Sequence, residues 1–68
     1  MYTLIKGQRY RVEAFAFGKH LVLFCDFTYE TWTDDGPYLV FTCEAGDAKL
    51  RSYPLSMDSI VSVQELDD

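Results

Sequence analysis

The chain has 68 residues, 49% of them hydrophobic and 16% aromatic, and carries a formal net charge of −5. So short a chain makes one domain, residues 1–68, and buries only about 60% of the surface that its unfolded form exposes. The acidic balance disfavours nucleic-acid phosphates and anionic membranes as partners, and it favours a protein with a basic surface.

Cysteine and histidine are scarce. Cys25, Cys43 and His20 do not supply the ligand set of a structural zinc site, and neither a metal nor a cofactor is expected. The opening residues Met1-Tyr2-Thr3-Leu4-Ile5-Lys6-Gly7 lack the basic segment and apolar core of an export signal. No apolar run is long enough to span a bilayer. Together these features predict a cytoplasmic protein that does not insert in a membrane.

Apolar residues alternate with period two through nearly the whole chain, which predicts strands. From Arg9 to Phe17 the even positions Tyr10, Val12, Ala14 and Ala16 form one face. Gly18-Lys19 reads as a type II′ turn, with glycine at the position that needs positive φ. From His20 to Thr31 the odd positions Leu21, Leu23, Cys25, Phe27 and Tyr29 form the matching face. That turn sets Tyr10 against Phe27, Val12 against Cys25 and Arg11 against Asp26.

Thr33-Asp34-Asp35-Gly36-Pro37 reads as a loop leading into a strand from Tyr38 to Glu44, with Leu39, Phe41 and Cys43 inward. The pairs expected across it are Phe27 with Cys43, Tyr29 with Phe41, Asp26 with Glu44 and Trp32 with Tyr38. Gly46-Asp47 reads as a further two-residue turn, pairing Cys43 with Leu50, Glu44 with Lys49 and Val40 with Tyr53. The result is a charge ladder, Arg11-Asp26-Glu44-Lys49, in which a base flanks each acid. Tyr53-Pro54 ends the fourth strand, because proline cannot donate to a ladder. Ser56-Met57-Asp58-Ser59 reads as a single 3₁₀ turn, and Ile60 to Leu66 as a last strand with Val61 and Val63 on one face. Tyr2 to Ile5 either form a short strand beside it or extend the long one.

A meander, a 3₁₀ turn and a closing strand resemble the small SH3-like barrels, a group that includes Tudor-type and Sm-type domains. The resemblance is topological and covers most of the chain. It implies an all-β fold, a five-stranded antiparallel SH3-like barrel. The segment Leu4-Ile5-Lys6-Gly7-Gln8-Arg9-Tyr10 is not the acidic aromatic signature of the peptide-binding SH3 class. Trp32 also stands alone where that class carries a tryptophan pair.

Two surfaces are candidate contact sites. The first hairpin is apolar on both faces, and its outer face carries Phe15, Phe17, Val22 and Phe24. It either curls into a barrel core or meets a dimer partner or another protein. The second surface is Trp32, Tyr38 and Tyr53 with Glu30. Ring walls beside a carboxylate suit a methylated cation, although aromatic cross-strand pairs also stabilise sheets unaided. Cys25 and Cys43 fall two residues out of register, at a Cα spacing of about 7 Å or more, too wide for a disulfide. They read as buried thiols.

For catalysis the inventory is thin. His20 falls opposite Phe17 with no carboxylate expected beside it, and no nucleophile motif or phosphate loop is present. The expected function is therefore non-enzymatic: a stand-alone protein-binding module that occupies a partner surface and forms a homodimer. An inhibitor of a host enzyme, carried by a phage or mobile element, is one form of it. The alternatives are nucleic-acid binding through an Sm- or Tudor-like barrel, using Arg9 and Arg51 beside Thr28 and Thr42, and a structural role in a larger assembly.

Overall fold

The structure is a computed structural model and describes residues 3–44 and 50–66. Its elements are β1 (Arg9–Ala16), β2 (Lys19–Thr33), β3 (Gly36–Glu44), β4 (Leu50–Ser56), a 3₁₀ turn (Met57–Ser59) and β5 (Ile60–Glu65). All neighbouring strands are antiparallel, in the order β4-β3-β2-β1-β5. This is one compact five-stranded sheet, and β4 and β5 remain its two edges, so the sheet is not closed into a barrel. The 3₁₀ turn carries the chain from one edge to the other, against β3 and β1.

A straight strand of fifteen residues, the length of β2, would run about 50 Å. The longest dimension of the molecule is 32 Å. β2 must therefore coil and bend, and it does so at Thr28, an extra residue between the pairs Phe27–Phe41 and Tyr29–Val40. A bulge of this kind bends its strand and strengthens the local twist. The hydroxyls of Thr28 and Thr42 lie 2.7 Å apart beside it. The bend gives β2 two roles: its first half pairs with β1, and its second half with β3.

The core forms on the concave side of this bent sheet. Tyr10, Val12 and Ala14 of β1 meet Cys25 and Phe27 of β2, Leu39 and Phe41 of β3, and Leu55 of β4. Phe27 and Phe41 pack edge to face with centroids 5.7 Å apart. Leu4, Met57, Ile60 and Val63 close the margins. Tyr10 keeps its hydroxyl satisfied by accepting from the Ile5 amide at 2.9 Å.

Several expected pairings shift. The first turn is Phe17-Gly18, not Gly18-Lys19: Ala16 pairs with Lys19, and φ is 56° at Phe17 and 76° at Gly18. Positive φ at both central residues defines a type I′ turn, whose twist matches that of the flanking strands. Tyr10 consequently faces Cys25, Val12 faces Leu23 and Arg9 faces Asp26. Residue parity is preserved as far as Phe27, so the inward set to that point is the expected one, whereas Tyr29, expected inward opposite Phe41, lies opposite Val40 beyond the bulge and is exposed.

The second loop is tighter than expected. Asp34 and Asp35 form the turn, and Gly36, at φ 107°, re-enters the ladder opposite Thr33. β4 continues through Pro54 to Ser56, because an edge strand tolerates a residue that cannot donate outward. The turn expected at Gly46-Asp47 and the pair with Lys49 lie outside the described residues, as do Tyr2 and the last two residues. The expected charge ladder does not form. Asp26 lies between Arg9 and Thr42, and Glu44 pairs with Leu50, which keeps two acids from sitting side by side.

Two further corrections follow from register. With Asp26 opposite Thr42, the next pair along is Cys25 with Cys43, and the two form a disulfide with Cα atoms 4.5 Å apart. That separation is the close spacing of a non-hydrogen-bonded antiparallel pair. The expectation of free thiols rested on a register two residues away. In β5 a bulge at Val61 separates the pairs Glu13–Ser62 and Ala14–Ile60. Val63 therefore lies opposite Val12, against the core, while Val61 is exposed.

The N-terminal segment does not form a strand beside β5. It runs along β2 instead: the Gly7 amide donates to the Phe27 carbonyl at 2.9 Å, and the Phe27 amide to the Gln8 carbonyl at 3.0 Å. Gln8 Nε2 also donates to the Leu66 carbonyl at 2.9 Å, which fastens the end of β5.

Candidate functional site

The outer face of the β1–β2 hairpin is built from three cross-strand rows and a tip. Arg11 faces Phe24, Glu13 faces Val22, and Phe15 faces His20. Phe17 stands at the turn. Strand alternation sends these residues away from Val12, Ala14 and Cys25. Phe15, Phe17 and Phe24 are 62%, 59% and 59% exposed, and Val22 is exposed beside them. The half-exposed Val61 of β5 flanks the same strand. A shallow recess of about 480 Å³ opens at the tip, lined by residues from Phe15 to His20.

Charges on this face are paired within the chain. His20 Nε2 lies 2.7 Å from Glu13 Oε2; a carboxylate only accepts, so the ring nitrogen donates. Arg11 Nη1 lies 4.0 Å from the other Glu13 oxygen, and Arg9 Nε lies 3.2 Å from Asp26 Oδ1. The rings of Phe15 and His20 sit 4.8 Å apart, tilted by 31°. His20 thus has the carboxylate neighbour that sequence reasoning missed. The signal was present, but the turn had been placed one residue late, which set His20 opposite Phe17 and too far from Glu13. The side chains beside this pair on the same face are Phe15 and Val22.

Phe17 is the unusual residue here. At φ 56° it occupies the left-handed region, where a side chain with Cβ costs about 1–2 kcal/mol. Asparagine, aspartate or glycine fill that position at lower cost.

The second expected surface is divided by the bulge at Thr28. Trp32 lies opposite Pro37, and Tyr38 opposite Thr31, so the two rings are on different faces. Tyr53 lies opposite Phe41, on the face shared by Glu30, Leu39 and Trp32. Trp32 is 70% exposed. Among the described residues, these three rings make no ring–ring contact with one another, and no cage is assembled. The strip expected from Arg9 and Arg51 is divided too, because Arg51 lies opposite Cys43 and Arg9 opposite Asp26.

Among the described residues no group of three or more His, Cys, Asp or Glu could hold a metal ion. No described helix is long and apolar enough to cross a membrane. Comparison with family models, curated proteins and solved structures finds no match for the chain.

Proposed function

We propose that the chain is a cytoplasmic protein-binding module of SH3-like arrangement, acting without catalysis by covering a surface of another protein. The observation that carries this reading is Phe17, an exposed phenylalanine held in a left-handed turn position beside exposed Phe15 and Phe24. Strained backbone in a folded protein collects at functional positions, and aromatic side chains are enriched at protein interfaces. The strand order with a 3₁₀ turn before β5 supports the SH3-like part. Acidic residues beyond the hairpin suit a partner with a basic surface. An inhibitor of a host enzyme, carried by a phage or other mobile element, is a form of such a module that the composition fits.

The test is affinity capture from cell extract with the wild-type chain, Phe17→Asn and Phe24→Asp. Circular dichroism first establishes that the variants are folded. Proteins held by the wild type and lost by both variants support the reading. Equal capture by all three overturns it.

A further inference from the structure

Formal charge is unevenly distributed between the hairpin and the rest of the chain. Residues 9–26 hold three bases (Arg9, Arg11, Lys19) and two acids (Glu13, Asp26), a formal charge of +1. The remaining residues hold three bases (Lys6, Lys49, Arg51) and nine acids, a formal charge of −6. The exposed phenylalanines therefore lie on a nearly neutral part of an acidic chain.

Four of those hairpin charges are also engaged with one another. Arg9 is paired with Asp26, and Arg11 lies beside Glu13, which in turn binds His20. Covering this face leaves few charges in need of a new counter-ion, so a strongly basic or strongly acidic partner would gain little here. The fitting occupant is another surface that is apolar and internally charge-balanced.

We propose that this occupant is a second copy of the chain, docked through the same outer face of β1 and β2. The inference rests on the reading of the hairpin as a protein-contact face and names its partner. Two copies meeting here bring together the least acidic part of each, so the net repulsion between two acidic chains is smallest at this contact. A two-fold interface is self-complementary, the same patch meeting itself. Three phenylalanines about 60% exposed offer roughly 350 Å² of ring surface. Val22, Val61, His20 and the stems of Arg11 and Glu13 extend it toward the roughly 800 Å² per partner of a standard interface.

The test is light scattering coupled to size exclusion, over a wide concentration range, on the untagged chain and on Phe15→Asp, Phe24→Asp and Trp32→Asp. The expected result is a wild-type mass twice the 7.9 kDa of the chain, unchanged in Trp32→Asp. Phe15→Asp and Phe24→Asp should both keep their strand signal and dissociate, with the dimer constant weakened about thirtyfold or more. A wild type that is monomeric at every concentration overturns the proposal, and so does a dimer that persists in both phenylalanine variants. A monomer whose extract partners are lost in Phe24→Asp overturns only the second copy as occupant and leaves the contact face standing. Variants indistinguishable from the wild type in mass and in capture overturn both.

Discussion

At Asp34-Asp35-Gly36 every turn position holds a residue suited to it, and at Phe17-Gly18 one does not. In the second hairpin two aspartates occupy the ordinary turn positions, and glycine takes the left-handed one at φ 107°. The Thr33 hydroxyl completes that turn, accepting from the Asp35 amide and donating to the Gly36 carbonyl, both at 3.1 Å. In the first hairpin a phenylalanine takes a left-handed position and remains exposed. The second turn is built for the fold alone. The first gives up local stability and leaves its ring in solvent, and the proposed contact rests on that difference.

Four measurements test that contrast. The largest effect is expected where the second hairpin meets the core. Phe27→Ala or Phe41→Ala should lower unfolding free energy in urea by about 3–5 kcal/mol. Measured in solutions dilute enough to be monomeric, Phe15→Ala and Phe24→Ala should stay within about 0.5 kcal/mol of the wild type, as substitutions at unburied positions do. A comparable loss at Phe15 or Phe24 would mean that these rings pack within the chain, and the contrast would collapse.

Next comes the covalent tie, which joins β2 to β3 and leaves the first hairpin unfastened. Reducing the bond between Cys25 and Cys43, 18 residues apart, should cost about 3 kcal/mol through the freed chain entropy of the unfolded state. Thermal unfolding with and without reductant reads the difference, and an unchanged midpoint would show that the tie contributes nothing.

Substitutions at the two left-handed positions should have opposite signs. Phe17→Asn should raise stability by about 1 kcal/mol, while Gly36→Ala should lower it by about 1 kcal/mol. A Cβ at Gly36 meets nothing within 4 Å, so the loss there would report backbone conformation rather than crowding. Two effects of the same sign would refute the view that only the first turn is strained.

The smallest effect is Thr33→Ala, expected to cost about 0.5–1.5 kcal/mol for its side-chain hydrogen bonds. A neutral result would place the organising chemistry of that turn in its glycine.

Apart from Tyr29, which lies beyond the bulge, the inward set of the first three strands was legible in the sequence because register errors of two residues leave parity untouched. Tyr10, Val12, Ala14, Cys25, Phe27, Leu39 and Phe41 are buried as alternation predicts. The partners of those residues were not legible. Gly18 satisfies either neighbouring turn, and choosing the one that keeps Phe17 out of the left-handed region moved every pair on the first hairpin by two. That choice hid the His20–Glu13 contact. Two further shifts of one residue each, at the tighter second loop and at the Thr28 bulge, hid the Cys25–Cys43 bond. The bulges at Thr28 and Val61 carry no glycine or proline to announce them, since the bending of β2 and the close of β5 are demands of the whole sheet. The face of Trp32, Tyr38 and Tyr53 depended on one of those bulges, and its composition alone could not show which rings meet.

The extra residue at Thr28 gives β2 two reading frames. Before it, odd-numbered residues point to the core; after it, Glu30 and Trp32 share the face of Leu39, and Tyr29 and Thr31 the face of Val40. Deleting Thr28 would remove the bulge and fuse the frames into one regular ladder, with Tyr29 still opposite Val40 and Glu30 still opposite Leu39. Deleting a residue between Lys19 and Asp26 would instead invert the residues on its turn side, and a deletion at Cys25 would send Phe24 inward and Leu23 out. The chain therefore encodes the length of each half of β2 as firmly as its composition, so this strand should tolerate loss of a residue at the bulge and almost nowhere else.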